Sequence, residues 1–180
     1  MTEGQMYLDL YKSFSEQSLP DAETASTHAA RDSYLGSAFI AVGLLWLGER
    51  LNTYILSDDI SAQSLIFPAA YLAWAAVTKI KSSHTRIVIG AVKQRKKSIE
   101  LTEAEIKFLD RSAIRATYAD ASLSVLYTAA AACIDPILGT VAGLYLYNSS
   151  KVQETFYRAA ANYAACRGPV VKLEWRRPFE

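Results

Sequence analysis

CIDPILG, Cys133 to Gly139, holds the only charged residue between Ala121 and Ser150, a run that is otherwise uncharged and mostly apolar. Aspartate is among the best helix N-caps because its carboxylate accepts the orphan N–H groups of the first turn. Proline suits the first helical position, where no N–H is needed. Pro136 also pushes the residue before it out of the helical region and so stops a preceding helix. Asp135 and Pro136 therefore predict that one helix ends, another begins and the chain turns back.

On the N-terminal side of this turn, Thr102 and Glu105 have the spacing of a capping box, which opens a helix at about Glu103. Ile106, Leu109, Ala113, Ile114 and Ala116 make its first half amphipathic, and Ala121 to Ile134 make its second half wholly apolar or small. On the C-terminal side a helix is predicted from Pro136 to Arg167, ended by Gly168-Pro169. The remaining tail, VVKLEWRRPFE, reads as extended.

A second hairpin precedes this one, with its tip at Ser57-Asp58-Asp59. Tyr34 to Leu47 is almost purely apolar, with Glu49-Arg50 just beyond, and Ile60 to Ile80 has no charge before Lys79. Pro68 either kinks the second helix or starts it at the first helical position. Before both hairpins, Met6, Tyr7, Leu10, Tyr11 and Phe14 recur at helical spacing over Gln5 to Gln17. Leu19-Pro20-Asp21 ends that helix and offers Asp21 as the next N-cap.

The expected fold is all-α: two long helical hairpins, four helices of which two to four span a membrane, preceded by a short amphipathic helix. The expected segments are 1–20 as the amphipathic N-terminal part, 21–167 as the four-helix membrane domain and 168–180 as the extended tail.

Charge placement carries the membrane expectation. Of nineteen Lys and Arg, only Arg50 lies between Asp32 and Thr78 and none lies between Tyr118 and Ser150. Soluble helices normally keep a charged face, whereas an ionised side chain at a bilayer centre costs roughly 2.5 kcal/mol or more. With hairpin tips at Asp58, Asp59 and Asp135, every Lys and Arg except Arg50 falls on one side. This is the positive-inside pattern, with both termini on the cytoplasmic or matrix side of a bacterial or mitochondrial inner membrane. Three spans, with Ala121 to Tyr147 as one kinked helix, would put the basic C-terminal segment outside. Length argues the other way, since Pro136 to Tyr147 supplies twelve residues where a span needs about 20. The N-terminus lacks the basic start and apolar core of a signal peptide, so insertion would use internal helices.

No converging set of acids, bases or nucleophiles points to catalysis, and no phosphate loop or metal-binding spacing is present, so neither enzyme activity nor a cofactor is expected. His28 and His84 read as solvated interfacial histidines. Cys133 and Cys166 read as ordinary small residues, held apart by the hairpin. Lys93, Arg95, Lys96 and Lys97 follow an apolar span without interleaved aromatics, which suits anionic headgroups and membrane orientation rather than nucleic acid. Arg50 would snorkel to headgroups, and Tyr34, Tyr54, Tyr118, Tyr145 and Tyr147 would form an interfacial aromatic belt.

Gly139 and Gly143 form a GxxxG for close helix packing, and Trp175 and Phe179 offer aromatic anchors for a partner. The expected function is a non-catalytic membrane subunit with a structural or assembly role in a larger complex, whose partners are lipids and other membrane subunits, not nucleic acid. The alternatives are a homo-oligomeric channel or membrane-perturbing effector lined by Ser122, Ser124, Thr128 and Thr140, and a soluble helical adaptor.

Overall fold

The computed structural model describes residues 2–16, 19–56 and 65–167. They form five helices and no strand: α1 (Glu3–Glu16), α2 (Leu19–Leu56), α3 (Ile66–Lys96), α4 (Glu103–Ile134) and α5 (Pro136–Ala164). Asp58, Asp59, Trp175 and Phe179 lie outside the described residues, as does the tail.

The turn at Asp135 forms as its sequence dictates. Asp135 is extended, with φ −154° and ψ 127°, and its carboxylate accepts the backbone N–H of Ile137 at 2.6 Å and of Leu138 at 3.2 Å. Thr102 likewise builds the complete capping box, its hydroxyl accepting from the Glu105 N–H while the Glu105 carboxylate accepts from the Thr102 N–H at 2.8 Å. The Thr102 backbone N–H, and second the Thr102 hydroxyl donating to the same carboxylate at 2.8 Å, hold the Glu105 carboxyl below its ordinary pKa. The cap is thus fully present above the ordinary carboxyl range and is lost as pH falls through the lowered value. Thr102→Ala is expected to cost about 1 kcal/mol of stability, read as a lower urea midpoint of unfolding, and an unchanged midpoint would refute this role for the cap.

Three boundaries differ from the sequence reading: the starts of α2 and α3 and the end of α5. Helix α2 begins at Leu19, so Asp21 lies in its first turn rather than capping it. Helix α3 begins at Ile66, which puts Pro68 in the first turn, where its missing N–H costs no intrahelical bond. The same helix runs unbroken through the basic stretch to Lys96, because Val88, Ile89, Ala91 and Val92 are buried in that half and nothing breaks the pattern before Ser98. Helix α5 stops at Ala164, with Cys166 in the left-handed region at φ 56° and Arg167 N–H bonded back to Asn162 O at 2.9 Å. Ser98, at φ 58°, ends α3 in the same way, with Ile99 N–H bonded to Gln94 O at 3.0 Å.

Three antiparallel pairings set the heights of the long helices. Gly36 and Gly43 of α2 lie against Lys79 and Leu72 of α3; Trp74 and Lys81 of α3 meet Tyr127 and Asp120 of α4; Thr128 and Ala132 of α4 meet Gly143 and Gly139 of α5. On this scale Tyr34, Lys81, Asp120 and Lys151 lie near one level, and Arg50 lies near the level of Asp135. Between those levels, residues 33–48, 66–78, 121–134 and 136–150 contain no Asp, Glu, Lys or Arg. At 1.5 Å per residue this charge-free belt is roughly 20 Å tall. Its outer surface is apolar and exposed, with Leu45 76% and Tyr145 73% accessible, and Leu44, Val125, Val141 and Leu144 alongside. Tyr34–Leu56, which runs through the belt and past Arg50, is the one described segment long and apolar enough to cross a membrane by length and composition.

The buried core lies at the other end. Val88, Val92, Leu109, Ala113, Ala116, Tyr157 and Ala160 pack together where α3, α4 and α5 meet. Helix α1 docks on this core with Tyr7 and Phe14 buried; the Tyr7 hydroxyl accepts from Asn162 Nδ2 at 2.8 Å, and Phe14 packs on Phe156 with ring centroids 5.3 Å apart. Tyr11 donates to Arg167 O at 3.0 Å, so both ends of the described chain meet at this end of the molecule.

Candidate functional site

A cleft of about 630 Å³ lies where the charge-free belt meets the buried core. Its floor is α3 and α4, and its walls are α2 and α5, which pack on those helices rather than on each other. The polar end is built on one pair: the Lys81 ammonium is bonded to Asp120 Oδ1, the lysine side chain 30% and the aspartate 9% exposed. Ser150 Oγ donates to Asp120 Oδ2 at 3.0 Å and shares a hydrogen bond with Ser124 Oγ at 2.8 Å. Both carboxylate oxygens of Asp120 are thereby occupied from two different helices.

Below this pair, Tyr157 and Thr85 share a hydrogen bond of 2.8 Å between their hydroxyls. Burial pushes the Tyr157 phenol above its ordinary pKa, so it remains a neutral hydrogen-bonding group. Above the pair, Trp74 Nε1 donates to the Tyr127 hydroxyl at 2.7 Å, and Phe39 packs on Trp74 with centroids 5.4 Å apart. Leu35, Leu123 and Leu146 complete the apolar wall. The cleft is thus graded, with a charge pair and hydroxyls at one end and aromatic and aliphatic surface at the other.

Lys81 and Asp120 were not among the residues singled out by sequence, because each reads as one charge at the edge of a charged region. Counting outward from the short α3–α4 turn would have aligned them. Of the residues that were singled out, Asp135 and Pro136 form the tip of the α4–α5 hairpin. Lys93, Arg95 and Lys96 occupy the last turn of α3, where they also complement its C-terminal dipole, and Lys97 is the C-cap. Gly139 and Gly143 lie against α4 of the same hairpin: a Cβ on Gly139 would sit 2.5 Å from Ala132 Cβ, and one on Gly143 3.1 Å from Thr128 Cγ2.

The four hydroxyl residues expected to line a pore do not converge within one chain. Ser122, Thr128 and Thr140 bond to carbonyls of their own helices, and Ser124 alone also reaches across to α5. Glu49 and Arg50 are both exposed. Tyr34, Tyr54, Tyr118, Tyr145 and Tyr147 are all well exposed on the helix surfaces.

His84 departs from the expected solvated histidine. It is half-buried, its Nδ1 is buried without a hydrogen-bond partner, and burial, with Arg115 second, lowers its pKa below the ordinary value. The neutral form is therefore built into the fold, and its contribution is present above the ordinary imidazole pKa and lost as pH falls through the lowered one. The His28 side chain lies outside the described ones. Cys133 and Cys166 are exposed free thiols, and among the described residues no group of three or more His, Cys, Asp or Glu is placed to hold a metal ion. No protein-family model matches the chain, and neither a curated protein nor a solved structure matches it.

Proposed function

We propose that the chain is a non-catalytic integral membrane subunit, with the charge-free belt in the bilayer and the α1-capped core at its cytoplasmic or matrix face. The observation that carries this reading is the belt: four helices clear charge over the same height and expose apolar side chains there. Water would leave Leu44, Leu45, Val141 and Leu144 as exposed apolar side chains at one height, and clustered apolar exposure of this kind is rare on a soluble monomer.

A belt of roughly 20 Å is shorter than a hydrocarbon core of about 30 Å. Lys79, Lys151 and Arg50 stand at its edges, where long basic side chains reach headgroups by snorkelling, and local thinning of the bilayer absorbs the rest. The excess of Lys and Arg beside the core favours that face as the inner one.

A subunit role is supported by a shallow groove of about 470 Å³ on the outer face of α4 and α5, lined by Ala121, Val125, Thr128, Ala129, Ala132 and Gly143. Small residues of this kind let another membrane helix approach closely. Carbonate extraction of membranes from expressing cells is expected to leave the protein in the pellet, and its release into the supernatant would overturn the membrane reading. A robust conductance from the purified chain alone in liposomes would instead establish the channel alternative.

A further inference from the structure

We propose that the graded cleft is a binding site for an uncharged amphiphile whose head carries carbonyl oxygens, with the head at the Lys81–Asp120 pair and the apolar part along Phe39 and Trp74. The volume of about 630 Å³ lies within the usual range for ligand sites. The polarity of the head follows from the hydrogen bonds left over. Asp120 spends both oxygens on Lys81 and Ser150, whereas Lys81 has spent one of three protons on Asp120 and remains 30% exposed.

The Tyr127 oxygen accepts from Trp74 and keeps its own hydrogen to donate. Gln153 and Ser149 also line the cleft, and their side chains hydrogen-bond to no other described residue. Lys81 and Tyr127 thus turn hydrogens into the cleft, and the Gln153 amide and Ser149 hydroxyl can add donors, which suits a ligand with acceptor oxygens. Among the described residues the only charges lining the cleft, Lys81 and Asp120, cancel, so a carboxylate or phosphate gains no net attraction from them while still losing its hydration. A carbonyl meets both conditions.

Access fits the same ligand. The cleft parts α2 from α5 at the inner edge of the belt, so its mouth faces sideways. That lateral entry rests on the membrane reading above, in which a lipid-dissolved molecule enters from the inner leaflet with its head already at the polar level. Quinones and ester-linked neutral lipids share this head chemistry and differ in the planar ring that Phe39 and Trp74 would stack on.

The test uses full-length protein in maltoside micelles, following tryptophan fluorescence during separate titrations with a decyl-substituted benzoquinone, dioctanoylglycerol and decanoate. Saturable change is expected with at least one uncharged ligand, the quinone binding more tightly if the ring is read and the glyceride if the ester is. Ser149→Phe, which fills the cleft without removing a hydrogen bond, is expected to abolish saturation. Gln153→Leu is expected to raise the half-saturating concentration about threefold to tenfold. The proposal is overturned if neither uncharged ligand saturates, if Ser149→Phe titrates like the native protein, or if decanoate binds at least as tightly. Carbonate extraction uses no ligand, so a membrane-retained protein that fails to saturate overturns the cleft assignment alone, and a released protein that saturates overturns the membrane reading alone.

Discussion

Asp120→Ala is expected to destabilise the protein by about 3 kcal/mol, at the lower end of the range for breaking a buried ion pair because Lys81 keeps 30% of its side chain in contact with solvent. The loss comes less from the attraction removed than from what is left behind. Lys81 would keep its charge in a half-buried site with no counter-ion, and Ser150 would lose one of its two hydrogen bonds to α4, keeping only that to Ser124. Asp120→Asn keeps an acceptor for Ser150 and should cost less. The double variant Lys81→Met with Asp120→Leu removes both charges and is expected to recover most of the lost stability, since a buried pair replaced by apolar groups of similar volume is often neutral. Urea midpoints in micelles measure all three variants. A single variant as stable as the native protein, or a double variant no better than Asp120→Ala, would show that the pair is not what holds α3 to α4 at this level.

The contrast between Asp135 and Asp120 shows where the sequence speaks. Asp135 is legible because a cap is made with groups two and three residues away, so local order carries the whole interaction. The Thr102–Glu105 box is legible for the same reason. Asp120 finds Lys81 across 39 positions, through the register of two helices set by the short turn between them and by the hydrogen bond from Trp74 to Tyr127. Nothing in the neighbourhood of either residue announces the other. His84 is similar: its burial depends on what packs over it, which a lone histidine in a basic stretch does not reveal. For α1 the apolar face over Tyr7 and Phe14 is visible in the sequence, but not that it docks on α5, because an amphipathic stripe names no partner. The glycines Gly36 and Gly43, seven residues apart, match no short packing motif, although they bring α2 against Lys79 and Leu72 much as the GxxxG brings α5 against α4.

That GxxxG carries the second large effect. Gly139→Leu is expected to destabilise the α4–α5 hairpin by about 3 kcal/mol or more, because a Cβ there would meet Ala132 Cβ at 2.5 Å, Ala132 Cα at 2.7 Å and Ala132 N at 3.0 Å. Two of those three atoms are backbone, so no rotamer relieves the clash and the helices must separate. Even Gly139→Ala should lose stability: alanine gains up to about 1 kcal/mol in helix propensity, against a typical overpacking cost of about 1–3 kcal/mol. Gly143→Ala provides the internal control, since its Cβ would meet only the Thr128 side chain, with the Cγ2 methyl nearest at 3.1 Å, which can give by a small rotation; propensity and crowding should then nearly cancel. Ala132→Gly should rescue Gly139→Ala in part, by removing the nearest atom while the backbone behind it stays in place. The ordering expected in urea midpoints is Gly143→Ala near native, Gly139→Ala below it and Gly139→Leu lowest. If Gly139→Leu unfolds at the native midpoint, α5 does not lie against Ala132. The same shift in register would then separate Ser150 from Asp120, and with it the polar end of the cleft would lose its α5 wall.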